Sequence, residues 1–167
     1  MTRATNIWNI EWEASDEDEG LRGQRLLERP KGTRLVAAVW ELDTGKDSGA
    51  YHVHHATEEL LLVLRGRPTL RTPDGERQLE EGDVAHFPAG PDGAHQVINR
   101  SDGVVRYVMA ASHSPLDVIE YLDESKVLVW TAAESPQMGK PLFIVHELTE
   151  HEADALDYDA DAVETRE

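Results

Sequence analysis

Tyr51-His52-Val53-His54-His55-Ala56-Thr57-Glu58-Glu59, followed by the apolar residues 60–64 and by Gly66, is the stretch that decides how this chain is read. In an extended backbone residues i and i+2 point to the same face. His52 and His54 therefore project together, while Val53 and His55 project the other way. A glutamate opening the next strand can complete three sides of a metal site. No other stretch of the chain concentrates chemistry so densely.

Strand signals run outward in both directions. Residues 33–42 carry Val, Leu and Trp and predict a strand. Further strands are predicted at 50–54, 59–65, 67–72, 76–80, 83–87, 94–99 and 104–111. Turn chemistry separates them: Thr44-Gly45-Lys46-Asp47-Ser48-Gly49, Gly66, Pro73-Asp74-Gly75, Glu81-Gly82-Asp83, Pro88-Ala89-Gly90-Pro91-Asp92-Gly93 and Asn99-Arg100-Ser101-Asp102-Gly103. Short strands at such spacing, with no helical pattern between them, predict an all-β sandwich or barrel. Upstream, residues 6–13 alternate loosely and predict a first strand, and 16–19 form an acidic loop. Downstream, 116–122, 127–130 and 141–146 predict strands packed along the outside. Residues 147–167 hold nine acidic side chains and one Arg, and predict a short helix or a frayed tail.

Composition narrows the function classes. A chain of 167 residues is one domain and buries about 68–70% of its unfolded surface, so it folds without a staple. It has no cysteine, which excludes disulfides, thiolate zinc sites and cysteine nucleophiles. Thirty-three acidic against 16 basic residues give a net charge of −17, which repels a phosphate backbone and argues against a nucleic-acid partner. Among the basic residues 12 are Arg and 4 are Lys, a balance that suits a salt-adapted or high-GC organism as well as plain solubility. The first residues lack a secretory pattern, and no apolar run approaches the roughly 18 residues of a membrane helix. The expectation is a soluble cytoplasmic protein with no membrane partner. Residues 60–64 are apolar on both faces of their strand. The outer face needs a cover, which predicts a homodimer.

The strand rhythm and the histidine motif together resemble the cupin superfamily, and more loosely its small single-domain bacterial members of the conserved-barrel type. Its first motif ends with two His one residue apart, a Glu, and a Gly after six more residues. His52, His54, Glu59 and Gly66 fit it; the leading Gly is out of register, since Gly45 stands one residue too far from His52. Its second motif is matched in order by Gly82, Pro88, Gly90, His95 and Asn99, with four residues instead of two between Gly90 and His95. A loop tolerates such an insertion. The resemblance covers about residues 33–112 and implies a double-stranded β-helix, a small jelly-roll barrel. The organisation that follows is an N-terminal strand extension (1–32), the barrel (33–112), C-terminal strands packed on it (113–146) and the acidic tail (147–167).

The resemblance also implies that His52, His54, Glu59 and His95 bind one divalent metal. Three imidazoles and a carboxylate suit Fe, Mn, Ni, Cu or Zn and leave one or two positions open. Glu58 competes with Glu59, but neighbours on a strand face opposite ways, and the spacing to Gly66 selects Glu59. His55 is expected at the surface. His86 is expected in core or rim packing, with a bond to the metal site as the alternative, and His113 at the surface. Trp8, Trp12, Trp40 and Trp130 are expected as core or interface aromatics, with Trp40 a candidate for the barrel mouth. His146 and His151 stand five apart, which no helix brings to one metal, so a zinc-protease reading of His146-Glu147-Leu148-Thr149-Glu150-His151 is rejected.

The expected function is a metal-dependent enzyme of dioxygenase or isomerase type, acting on a small oxygen-rich metabolite. The alternative is a non-catalytic module that binds a small ligand. No catalytic residue is assigned; His86, Glu58 and Tyr107 are the available candidates for a base.

Overall fold

Turns this frequent leave no length for an α-helix, and none occurs among the residues described by the computed structural model: 5–12, 14–16, 20–27, 33–112, 114–134 and 140–149. The strands are β1 (Ala14–Asp16), β2 (Leu21–Arg25), β3 (Leu35–Leu42), β4 (His52–His54), β5 (Glu59–Arg65), β6 (Thr69–Thr72), β7 (Gly75–Gln78), β8 (Val84–Phe87), β9 (Gln96–Ile98), β10 (Val105–Ser112), β11 (Leu116–Tyr121), β12 (Lys126–Glu134) and β13 (Pro141–Glu147). All pair antiparallel. One sheet runs β1-β2-β3-β10-β5-β8, a second β13-β12-β11-β4 and a third β7-β6-β9. A bridge between His52 and His95 joins the second sheet to the third, and one between Asp47 and Ile98 ties the following loop in. The first sheet faces this composite layer, giving the expected jelly-roll barrel.

Registry sorts the side chains. Tyr107 lies opposite Trp40 and Val63, Met109 opposite Ala38 and Leu61, and Ala111 opposite Val36 and Glu59. Directly opposed residues share a face, so these line the interior, and Glu59 enters with them. Leu42, Leu61, Val63, Leu70, Leu79, Ala85, Phe87, Val97, Val105 and Tyr107 form the core. The intervening Leu60 and Val84 point outward and stay 41% and 56% exposed.

The upstream region departs from expectation. Residues 6–13 were predicted as a strand, but 5–12 form none. The side chain of Asn6 accepts from the Trp8 amide at 2.9 Å, and its carbonyl accepts from the Asn9 amide at 3.1 Å, so the chain turns there. The segment instead lies over the outer face of the first sheet. The Ile7 carbonyl accepts from Arg106 Nη1 at 3.0 Å, and the Arg106 guanidinium sits 5.6 Å and 5.4 Å from the Trp8 and Trp12 rings. The strands that do extend the sheet, β1 and β2, come later. The acidic residues 17–19, His113, His151 and the tail from 150 onward lie outside the described residues. Among the described residues no helix is long and apolar enough to cross a membrane.

Candidate metal centre

The short strand β4 is fixed from both sides. On one side Ile119 and Tyr121 of β11 lie opposite His54 and His52. On the other, the His52 amide donates to the His95 carbonyl at 3.2 Å, and the His95 amide returns to the His52 carbonyl at 2.9 Å. That reciprocal pair places His52 and His95 on one face, their ring centroids 4.7 Å apart. His54 follows by the two-residue period, with its ring centroid 5.2 Å from that of His52. His95 is 2% exposed and stacks on Phe87 at 3.8 Å.

Glu59 meets them from the opposite sheet. Its Oε2 lies 3.3 Å from His95 Nε2 and 3.6 Å from His54 Nε2. One ligand atom each from His52, His54 and Glu59 lies within 4.8 Å of the others, a spacing that can hold a metal ion. His95 joins this trio through its contacts with Glu59 and His52. The four side chains singled out in the sequence thus come together.

The far nitrogen of every ring is engaged. His52 Nδ1 is 2.9 Å from the Ala50 carbonyl, His95 Nδ1 2.9 Å from the Gly93 carbonyl, and His54 Nδ1 2.7 Å from Asp117 Oδ2. These oxygens only accept, so Nδ1 of each ring carries a proton and donates it, which turns Nε2 toward the interior. The Nε2 lone pairs are left for the interior. His54 and His95 face a carboxylate or carbonyl oxygen at Nδ1 and Glu59 at Nε2. Imidazole nitrogens with a carboxylate at this spacing are a donor set for a divalent transition metal.

The electrostatics agree. Burial, helped by the neighbouring His95, pushes His52 down to about 4, so it is neutral at physiological pH. Burial alone would raise Glu59, but its contact with His95 and the surrounding imidazoles outweigh it and hold the carboxyl below its ordinary value.

Asp117 was not expected. It is 1% exposed and sits on β11, two residues before Ile119, hence on the same face as His54. Beside His54, its other oxygen accepts from the Ala56 amide at 2.9 Å. Burial pushes its carboxyl up, yet hydrogen bonds from Thr57, His54 and Ala56 carry it below its ordinary value. The only signal in the sequence was a carboxylate, one of two with Glu120, in an otherwise apolar strand.

The remaining candidates separate cleanly. Glu58 is exposed, as the choice of Glu59 required, and His55 is at the surface beside Glu120 at 3.2 Å. His86 is a correction. It neither packs in the core nor reaches the metal centre, because Ala85 and Phe87 take the inward positions and leave His86 exposed opposite Leu60. Tyr107 does line the site. Burial raises its hydroxyl well above the ordinary value, so it stays a neutral phenol, hydrogen-bonded with Ser48, and is no base at neutral pH. His146 lies on β13, a strand and not a helix.

The two extra residues before His95 fold into a 3-10 turn at Pro91–Gly93. The Gly90 amide donates to the His54 carbonyl at 2.8 Å, so the loop is tied to β4.

Two hollows of about 210 Å³ each meet at Trp40, Glu59 and Met109. One also touches Leu21, Ser48, His52, His95 and Tyr107. The other opens past Val36 and Ala38 to Arg25 and Leu27. A larger groove of about 510 Å³, along Lys46, Asp47, Tyr51 and Asp123, contains none of the four clustered side chains.

A family model described as a cupin domain matches residues 38–111. The match covers the barrel, and solved neighbours from the cupin superfamily share its fold. A sugar phosphate isomerase of that superfamily from Silicibacter pomeroyi is similar with a TM-score of 0.66 at 24% identity, over 79% of this chain and 82% of that one. The polyketide cyclase RemF from Streptomyces resistomycificus gives 0.57 at 20%, over 68% and 81%. The cupin domain of Cnp3 from Schizosaccharomyces pombe gives 0.54 at 14%, over 65% and 72%. At these identities the likeness is one of fold. No curated protein matches by sequence.

Proposed function

We propose that His52, His54, Glu59 and His95 bind one divalent ion of Fe, Mn, Ni, Cu or Zn, and that the protein is a metal-dependent enzyme acting on a small oxygen-rich metabolite. The observation that carries this is the convergence of His52, His54 and His95 on Glu59, in a site already supplied with Nδ1 partners. A metal held there supplies Lewis acidity, and with iron or copper the activation of dioxygen. The chain's own part is to fix the ligands, to wall the cavity with Trp40 and Met109, and to present Tyr107 as a neutral hydrogen-bonding group. Isomerisation is the reaction class supported by the Silicibacter neighbour, and dioxygenation suits the same donor set. A second reading, a ligand-binding module without turnover, is favoured by one observation. Neither His86 nor Glu58 lines the cavity, and Tyr107 keeps its proton.

Elemental analysis of purified protein tests the site. Wild type is expected to hold one metal ion per chain, and His52→Ala and Glu59→Gln to lose at least about tenfold in metal affinity. Glu58→Gln is expected to match wild type. Equal metal content in wild type and His52→Ala would remove the site.

We also propose that the chain is a homodimer through the outer face of β5 and β8, where Leu60 and Val84 are exposed. Leu60→Glu is expected to convert a dimer to a monomer by light scattering. A wild-type mass equal to that of one chain refutes the dimer.

A further inference from the structure

Strand β2 alternates across its sheet. Leu21, Gly23 and Arg25 lie opposite Leu42, Trp40 and Ala38 and share their inward face, whereas Arg22 turns outward to Glu41 and Asp43. Gly23 leaves room for the Trp40 indole to lie against the strand, since a Cβ there would stand 2.3 Å from Trp40 Cζ3. Trp40 thereby becomes a fixed wall, and Arg25 a solvent-exposed cation at the strand's end, on the side of the cavity. Arg25 lines the same cavity as Glu59, together with Leu27, Val36, Trp40 and Met109. Arg22, Arg71 and Arg106 each hold a carboxylate, but among the described residues the Arg25 guanidinium has neither an ion pair nor a hydrogen bond.

From this we infer that the ligand of the cavity is a small anion, a carboxylate or a phosphate monoester, with its charged group on Arg25 and a further oxygen at the histidine–glutamate centre. The inference rests on the metal-site reading given above. Charge balance supports it. A divalent ion is balanced by Glu59 and by the Asp117 carboxylate behind His54, so Arg25 is left as the positive charge of the cavity, inside a chain whose net charge is −17. The cavity is thus a positive spot in an acidic protein, and a diffusing anion is favoured there and repelled elsewhere. Guanidinium matches the oxygens of carboxylate and phosphate in two parallel hydrogen bonds. An uncharged polyol leaves the Arg25 charge unbalanced.

The test is calorimetric titration of zinc-loaded protein with glycerol 3-phosphate, glycerate and glycerol, comparing wild type with Arg25→Gln, Arg25→Lys and Arg67→Gln. Arg67 pairs with Glu80 in an exposed bridge far along the chain and controls for net charge. Both anions are expected to bind wild type and Arg67→Gln alike, to lose about tenfold or more in Arg25→Gln, and to recover part of it in Arg25→Lys. Glycerol is expected to bind weakly to all. Absence of anion binding to wild type, or equal binding to Arg25→Gln, overturns the anion site. Metal analysis of the same samples separates the two proposals. If wild type holds no metal and anion affinity still falls in Arg25→Gln, the metal reading fails and the anion site stands.

Discussion

Asp117→Ala is expected to cost the fold about 3 kcal/mol and to weaken metal binding about 10- to 100-fold. The substitution removes the acceptor for three donors at once: His54 Nδ1 at 2.7 Å, the Ala56 amide at 2.9 Å and the hydroxyl of Thr57. An unmet buried donor costs about 1–3 kcal/mol, and water entering the space left by the carboxylate returns part of that sum. The effect on metal follows from the ring. Without Asp117, nothing holds the proton of His54 on Nδ1 or fixes the imidazole plane, so Nε2 is no longer presented to Glu59 by default. Asp117→Asn keeps the shape and one acceptor oxygen and is expected to fall between alanine and wild type. Denaturant midpoints measure the first effect and competition with a chelating dye the second. Nitrogen chemical shifts of His54 give a readout that a merely structural residue would not move, because they report the tautomer directly. Unchanged midpoint, affinity and shifts in Asp117→Ala would show that the carboxylate does not act through His54.

Asp117 also marks where the sequence stops being legible. The two-residue period paired His52 with His54 and separated Glu59 from Glu58, because those inferences need only a local backbone state. Likewise, the turns from Thr44 to Gly103 located the barrel strands, because turn chemistry is local. Asp117 stands 63 residues from its partner His54, and its place depends on how β11 aligns with β4. No pattern within Leu116–Tyr121 reports that alignment. The same limit hid β2. Its sequence Leu-Arg-Gly-Gln-Arg lacks the β-branched and aromatic side chains that announce a strand. It becomes one because Gly23 fits the Trp40 ring, a contact between distant residues. In residues 6–13 the error ran the other way. An alternating pattern was present, but Asn6 captured the amides of Trp8 and Asn9 and turned the chain. For His86, its flanking Ala85 and Phe87 already showed the outward parity once the strand's inner face was known.

The loop before His95 carries the other large prediction. Four residues stand between Gly90 and His95, and the chain absorbs them by folding Gly93 back onto Pro88. A Cβ on Gly93 would stand 1.8 Å from the Pro88 carbonyl oxygen, a backbone atom that cannot swing aside. Gly93→Ala therefore forces the 3-10 turn open. The Gly93 carbonyl, which holds His95 Nδ1 at 2.9 Å, must move with it. The expected result is a loss of about 3 kcal/mol or more in stability, together with at least about tenfold weaker metal binding. Gly103→Ala is the matched control. Nothing lies within 4 Å of a Cβ there, and a change within about 0.5 kcal/mol is expected, with metal affinity unaltered. Should Gly93→Ala prove so unstable that binding cannot be read, the stability half of the prediction is met and the ring is examined separately. His95→Gln leaves the turn intact, and metal binding there isolates the imidazole. A Gly93→Ala protein with wild-type midpoint and wild-type metal affinity would mean that the turn does not position His95. The second motif of the barrel would then owe its ligand to Phe87 stacking and the His52 bridge alone.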